Sequence, residues 1–196
     1  MSPRRKQFDP DQALDRALNL FWAKGYEATS IQDLVAAMGI NRFSLYDTFG
    51  DKHALFLAAC ARYRAMMGRS AVGALRHTAS GREAIVRFFR IQEDYYASEA
   101  GRCGCLMTNA LVECAPHDDA IRQDAWGFVS NLENAFYGAL VRARAAGEIA
   151  TREDLRQLAG LLAGVALANN VIGKAAPAAA DRVRSNVRLA LRLLEV

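Results

Sequence analysis

Histidine and proline are scarce in this sequence: three His (His53, His77 and His117) and four Pro among 196 residues. Three scattered histidines suggest no Ser-His-Asp arrangement, and no glycine-rich phosphate loop is present, so the chain does not read as an enzyme. No apolar segment follows the basic N-terminus, so no secretory signal is expected. Cysteines are few and unevenly spaced, at Cys60, Cys103, Cys105 and Cys114. Without a secretory signal they read as free thiols in a reducing cytoplasm. The longest uncharged run, Gln157 to Gly173, is barely long enough to span a bilayer, and Gln157, Asn169 and Asn170 interrupt it. It reads as a buried helix, with no membrane partner. Sustained apolar–polar alternation and Asn-Gly or Asp-Gly hairpins are also missing, which argues against strands.

What is present is helical periodicity. Hydrophobic residues make up 52% and charged residues 23%, enough apolar material for a sizeable core. The formal charge of +4 mildly favours an anionic partner. Residues 1–52 are neutral, with seven Lys or Arg against seven Asp or Glu, and only Arg4, Arg5 and Lys6 cluster. A nucleic-acid reading therefore has to rest on motif geometry rather than bulk charge.

Asp9-Pro10 opens a first helix and Gly25 closes it. Thr29 or Ser30 caps a second, with Ile31, Leu34, Val35 and Met38 on one face, and Gly39 ends it. Asn41 caps a short third helix that stops at Gly50. Asp51 caps a fourth, expected from Lys52 to about Ala79. Further helices are expected from Ser80 to Ser98, from Gly104 to before Pro116, from Asp118 to Ala146, from Thr151 to Gly173, and from Pro177 onward. The expected fold is all-α, with about nine helices: a helix-turn-helix domain over residues 1–52 and a helical domain over 53–196.

Helices two and three meet in "MGIN": a glycine at the bend, an apolar residue, then a capped helix. That is a helix-turn-helix, whose second helix fits the DNA major groove. Arg42, Phe43, Ser44, Asp47 and Thr48 would face outward, and Leu45 and Phe49, four apart, inward. Alternatively, Tyr46 and Phe49 are core and Arg42 and Lys52 a solvated face.

The stretch "ALNLFWAKGYEATSIQDLVAAMGINRFSLYDTFGDKHALF" resembles the N-terminal domain of TetR/AcrR-type transcriptional regulators. The likeness is carried by Gly25-Tyr26, Thr29-Ser30, Gly39, Leu45-Tyr46, Phe49, and Lys52 followed by Leu55. It implies a homodimer on a palindromic double-stranded DNA operator, probing bases with Arg42, Phe43 and Ser44. Arg42 would suit bidentate contact with guanine, and Phe43 a thymine methyl. Thr29, Ser30, Tyr46 and Lys52 would meet phosphates, with Thr48 nearby and Arg4, Arg5 and Lys6 as an arm. Two positions depart from the pattern. Thr48 stands where many members have histidine or tyrosine, and Asp47 where they have a neutral or basic residue.

The same resemblance implies that the remaining helices bind a small-molecule effector and dimerise. The last two would form the dimer, through Gly160, Ala163, Gly164, Ala166 and Ala168 and a stripe of Val183, Val187, Ala190, Leu191 and Leu194. Packing inside one chain is the alternative. Phe89, Tyr96, Met107, Trp126, Phe128 and Tyr137 are candidate effector-pocket walls, with Asn109 as polar anchor, although each residue type also serves as core. Cys105, near an expected helix N-terminus and Arg102, is a candidate oxidant- or electrophile-sensing thiol; a buried structural cysteine is the alternative. Cys103, Cys105, Cys114 and His117 have ligand-type side chains. However, Cys105 and Cys114 are nine residues apart on one expected helix, about 13 Å of rise. Neither metal nor cofactor is expected. The whole reads as a ligand-responsive regulator, most simply a repressor; a protein-binding helical adaptor is the remote alternative.

Overall fold

The computed structural model describes residues 8–194, so Arg4, Arg5 and Lys6 lie outside the described residues. Among those described there are ten α-helices, two short 3-10 segments and no strand. The chain divides into two compact units, one ending at Arg64 and the other beginning at Ala65.

The first unit holds α1 (Pro10–Lys24), α2 (Ile31–Met38), α3 (Arg42–Phe49) and most of α4 (Lys52–Arg69). Each helix start leaves backbone N–H groups without intrahelical partners, and short polar side chains meet them. The Asp9 carboxylate accepts from the Asp11 N–H at 2.9 Å, Asn41 from the Ser44 N–H at 2.8 Å and Asp51 from the Ala54 N–H at 2.7 Å. At α2 the Ser30 hydroxyl accepts from the Asp33 N–H, and the Asp33 carboxylate accepts from the Ser30 N–H, both at 3.1 Å. Ala17, Phe21, Leu34, Leu45, Leu55 and Phe56 fill the centre, and Phe56 touches both Phe21 and Tyr26. Arg62 of α4 donates to Asp15 of α1 at 2.7 Å and to Asp11 at 3.0 Å. That pairing lowers the Asp15 carboxyl below its ordinary range, the Arg62 hydrogen bond contributing most.

The second unit contains α5 (Ala71–His77), α6 (Gly81–Ala97), a 3-10 segment (Glu99–Cys103), α7 (Leu106–Glu113), α8 (Asp119–Ala145), α9 (Leu155–Ile172), a second 3-10 segment (Gly173–Ala175) and α10 (Ala180–Arg192). Long α8 packs on α6 and α9, and α10 lies on α6 and α9. Phe88, Phe89 and Phe136 form a mutual aromatic cluster with centroids 4.9–5.6 Å apart. By length and composition α9 and the turn after it could cross a membrane. Here one face, Leu155, Leu158, Leu162 and Ala166, is core of the unit, and the opposite face carries exposed Leu161 and Val171.

Two sequence expectations are corrected. The helix expected from Lys52 to about Ala79 is broken at Ser70 into α4 and α5. The break brings the Gly68 carbonyl so close to Gly73 that a Cβ there would sit 2.4 Å from the oxygen. Periodicity carries no trace of this, because both segments are apolar and helical. The α9 cap is Asp154, accepting from the Arg156 and Gln157 N–H groups at 2.9 Å, and not Thr151. Thr151 is buried three residues upstream and accepts from the Glu153 N–H.

The break is testable with a matched pair. Gly68→Ala adds a methyl to open space and is expected to be neutral or stabilising by up to about 1 kcal/mol in thermal unfolding. Gly73→Ala, equally favourable by helix propensity, is expected to cost about 1–3 kcal/mol because the Gly68 carbonyl must move.

Candidate functional site

The turn between α2 and α3 is set by Gly39, whose φ of 68° is left-handed. After it Ile40 turns inward, and Asn41 starts α3 at once. Leu45 is 0% exposed, and Leu34 and Met38 of α2 are buried with it. This leaves the other side of α3 outward. Phe43 is 78% exposed, an unusual state for a phenylalanine, and Tyr46 is 40% exposed. Arg42 and Asp47 are exposed, and Ser44, Thr48 and Phe49 are half-buried. Arg42 leans along the helix, its Nη2 donating to the Tyr46 hydroxyl oxygen at 3.3 Å and its guanidinium 5.5 Å from the ring centroid.

Lys52 opens α4, and its ammonium lies 4.4 Å from the centroid of the Tyr26 ring. Sequence reasoning noticed Tyr26 only as part of the Gly25-Tyr26 step and gave it no role beside Lys52. Thr29 is a correction. It is fully buried, and its hydroxyl donates to the Gly25 carbonyl at 2.6 Å, which ties the α1–α2 loop together and removes that hydroxyl from any phosphate. Ser30 is exposed at the start of α2, inside the capping box.

The candidate effector residues lie on α6, α7 and α8, with Cys105 just before α7. Phe89, Tyr96, Cys105, Met107 and Phe128 are buried as core. Trp126 is 61% exposed, so it walls nothing in the interior. Tyr137 is half-buried, with the Arg156 guanidinium 3.7 Å from its ring centroid. Asn109 is half-buried and donates to the Cys103 carbonyl while Lys174 donates to its oxygen. An open groove of about 220 Å³ lies elsewhere, lined by Leu75, Arg76, Asn134, Ala135, Gly138 and Arg142. Arg142 is committed there to the Leu75 carbonyl at the end of α5, at 2.6 Å. Cys105 is the residue before α7, as expected, but it is buried, and Arg102 pairs with Glu99 at 2.7 Å.

The polar centre of this unit was missed. Gln92 of α6 donates to the Ala166 carbonyl and to Asn170 at 3.0 Å, and Tyr96 donates to the same Asn170 oxygen at 2.9 Å. Asn170 in turn donates to Thr108 of α7, Asn169 to Gln92, and Asn186 of α10 to Asn169. Burial raises the Tyr96 phenol far above its ordinary pKa, so it stays protonated as a donor. The signal was the Asn169-Asn170 pair inside an otherwise apolar run.

Residues 13–59 match the family model "Bacterial regulatory proteins, tetR family", and residues 81–187 match "Tetracyclin repressor-like, C-terminal domain". The chain is 34% identical to the uncharacterized HTH-type transcriptional regulator YezE of Bacillus subtilis, over 98% of this chain and 99% of that protein. It is 34% identical to the HTH-type transcriptional repressor ComR of Escherichia coli, over 81% of this chain and 76% of that one. Its fold is similar to that of a cysteine mutant of the TetR family transcriptional regulator CifR solved with 26-bp double-strand operator DNA. The TM-score is 0.85 and the identity 33%, covering 96% of this chain and 98% of that one.

The cap at α2 carries a pH signature. Lys24 donates to the Asp33 carboxylate at 2.9 Å, and with the Ser30 bonds it lowers the carboxyl from 3.8 to about 2. A depressed carboxyl adds stability above its unfolded pKa and loses it as pH falls through the folded value. The stability difference between wild type and Asp33→Asn is therefore expected to be full at neutral pH and to narrow below pH 3.8 toward 2, read by urea unfolding across pH.

Proposed function

The chain belongs to the TetR family of bacterial transcriptional regulators, and from that membership we propose a homodimeric cytoplasmic repressor that binds a palindromic operator and is released by a small molecule. The observation that carries the reading is the outward display of α3: Phe43 at 78% exposure on a helix anchored from behind by fully buried Leu45. An exposed phenylalanine at the start of a recognition helix fits a partner surface, and thymine methyl groups in a major groove supply one. ComR is named a repressor, and the CifR structure holds operator DNA, which supports the same assignment here.

In this reading Arg42, Phe43 and Ser44 approach base edges, while Ser30, Tyr46 and Lys52 meet phosphates. Tyr46 keeps its own O–H as a donor, because Arg42 uses only the oxygen lone pair. Asp47 is exposed beside them and accepts from a cytosine amino group or repels phosphate, so it narrows the operators that fit. DNA binding is assigned to the unit ending at Arg64, effector response and dimerisation to the remainder. For release, the effector has to bind the DNA-incompetent arrangement more tightly.

The dimer surface expected on the last two helices is revised. Val183, Val187, Ala190 and Leu194 of the expected stripe are buried inside their own unit. Exposed Leu161, Gly164, Ala168 and Val171 recur at helical spacing on the outer face of α9, and Leu189 is exposed on α10. A second copy seated on these faces supports pairing of operator half-sites.

The test is binding to a palindromic fragment from upstream of the protein's own gene, at two salt concentrations. Binding is expected to weaken steeply with salt. Arg42→Ala is expected to cost about 1–3 kcal/mol and to relax preference at one base position. Tyr46→Phe is expected to weaken all sequences alike. Salt-insensitive binding, or affinity unchanged in both variants, would remove the assignment.

A further inference from the structure

Four cations of the first unit, Lys24, Arg62, Arg42 and Lys52, are held in two ways. Lys24 faces the Asp33 carboxylate at 2.9 Å, and Arg62 faces Asp15 and Asp11 at 2.7 and 3.0 Å. These charges are neutralised where they stand, and they tie helices together. Arg42 and Lys52 have no carboxylate at ion-pair distance among the described residues. Their partners are aromatic: Tyr46 for Arg42, Tyr26 for Lys52.

An aromatic face attracts an ammonium through its quadrupole but carries no net charge. It orders a long, rotamer-rich side chain and leaves the positive charge available. A carboxylate in the same place would order the lysine and also cancel its attraction for an anion. Tyr26 is itself held, 4.8 Å from Phe56 and stacked at 6.3 Å from Phe21, both buried. The ring is therefore a fixed wall built from the core outward, with Lys52 laid on it at the first turn of α4.

We propose that Tyr26 is a positioning residue for operator binding: its ring pre-orders the Lys52 ammonium, un-neutralised, for a DNA phosphate. The proposal rests on the reading that Lys52 meets a phosphate. Pre-ordering reduces the entropy lost when a flexible side chain is immobilised in a complex, and that gain is distinct from any contact Tyr26 makes with DNA.

The test is operator affinity of the full chain for wild type, Tyr26→Leu, Tyr26→Phe, Lys52→Ala and the Tyr26→Leu/Lys52→Ala pair. Thermal unfolding of each shows which remain folded. Tyr26→Phe keeps the ring and is expected to bind as wild type. Tyr26→Leu is expected to bind about three- to tenfold more weakly. In the Lys52→Ala background the same change is expected to have no further effect, because the side chain it orders is gone. An NMR signature separates positioning from packing without DNA: the Lys52 Hε resonances are shifted upfield by the ring in wild type and Tyr26→Phe, and return to ordinary values in Tyr26→Leu.

Lys52→Ala binding as tightly as wild type would overturn the phosphate reading of Lys52, and this proposal with it. If Lys52→Ala binds weakly but Tyr26→Leu binds as wild type, or weakens binding equally in both backgrounds, positioning by Tyr26 alone is overturned. Unshifted Lys52 resonances in wild type overturn it as well. If Tyr26→Leu proves too unstable to assay, Tyr26→Met takes its place in both backgrounds, and the same outcomes support or overturn the proposal.

Discussion

An eight-residue helix does not persist alone in water, and everything on the outer side of α3 depends on the side chain buried most deeply beneath it, Leu45. Leu45 is fully buried alongside Leu34 and Met38, worth about 1.5–3 kcal/mol of apolar burial. On the outer side Phe43, Tyr46 and Asp47 are exposed, while Phe49 is half-buried and Thr48 has an interaction of its own. The ends are closed with side-chain and backbone bonds: Asn41 accepts at the start, and the Gly50 N–H donates to the Tyr46 carbonyl at the finish. With its inward side and both ends held, α3 leaves Arg42, Phe43 and Asp47 exposed, as the proposed recognition role requires.

Most of the first unit was legible because its signals are local. Asp9-Pro10, the Ser30–Asp33 box, Gly39 and Asn41 each act within four residues, so reading them needs no knowledge of what packs against what. Leu45 was readable because only one face of so short a helix can reach α2. What stayed hidden were contacts between residues far apart in the chain: Lys52 on Tyr26, and Arg62 on Asp11 and Asp15. Thr29 was misread for a related reason. At a helix start a hydroxyl has two uses, and the one chosen here, donation to the Gly25 carbonyl, depends on a loop path that composition does not reveal.

In the second unit the sequence yielded helices but not their interior. Phe89, Met107 and Phe128, expected as candidate pocket walls, are buried among the helices of this unit. Periodicity identifies the inward face of a helix, and the same apolar residues line a packed core and a void; only the third dimension separates the two. Trp126 shows the converse, an aromatic in an apolar helix that ends up outside. The break at Ser70 belongs here too, since the Gly68–Gly73 approach is a fact of backbone geometry between two segments with unremarkable sequence.

The buried amides give this interior its definition. Apolar faces alone would let α6, α7, α9 and α10 slide past one another at small cost, because hydrophobic burial has no direction. Gln92, Thr108, Asn169, Asn170 and Asn186 come from those four helices, and each meets at least one of the others. Asn170 alone accepts from Gln92 and Tyr96 and donates to Thr108, so a displacement of α9 would leave several buried groups unpaired at once. Such a network penalises intermediate arrangements more than it penalises a second, fully paired one. The Asn169-Asn170 pair that interrupts the apolar run of α9 is thus better understood as what gives the helix its register than as a flaw in it.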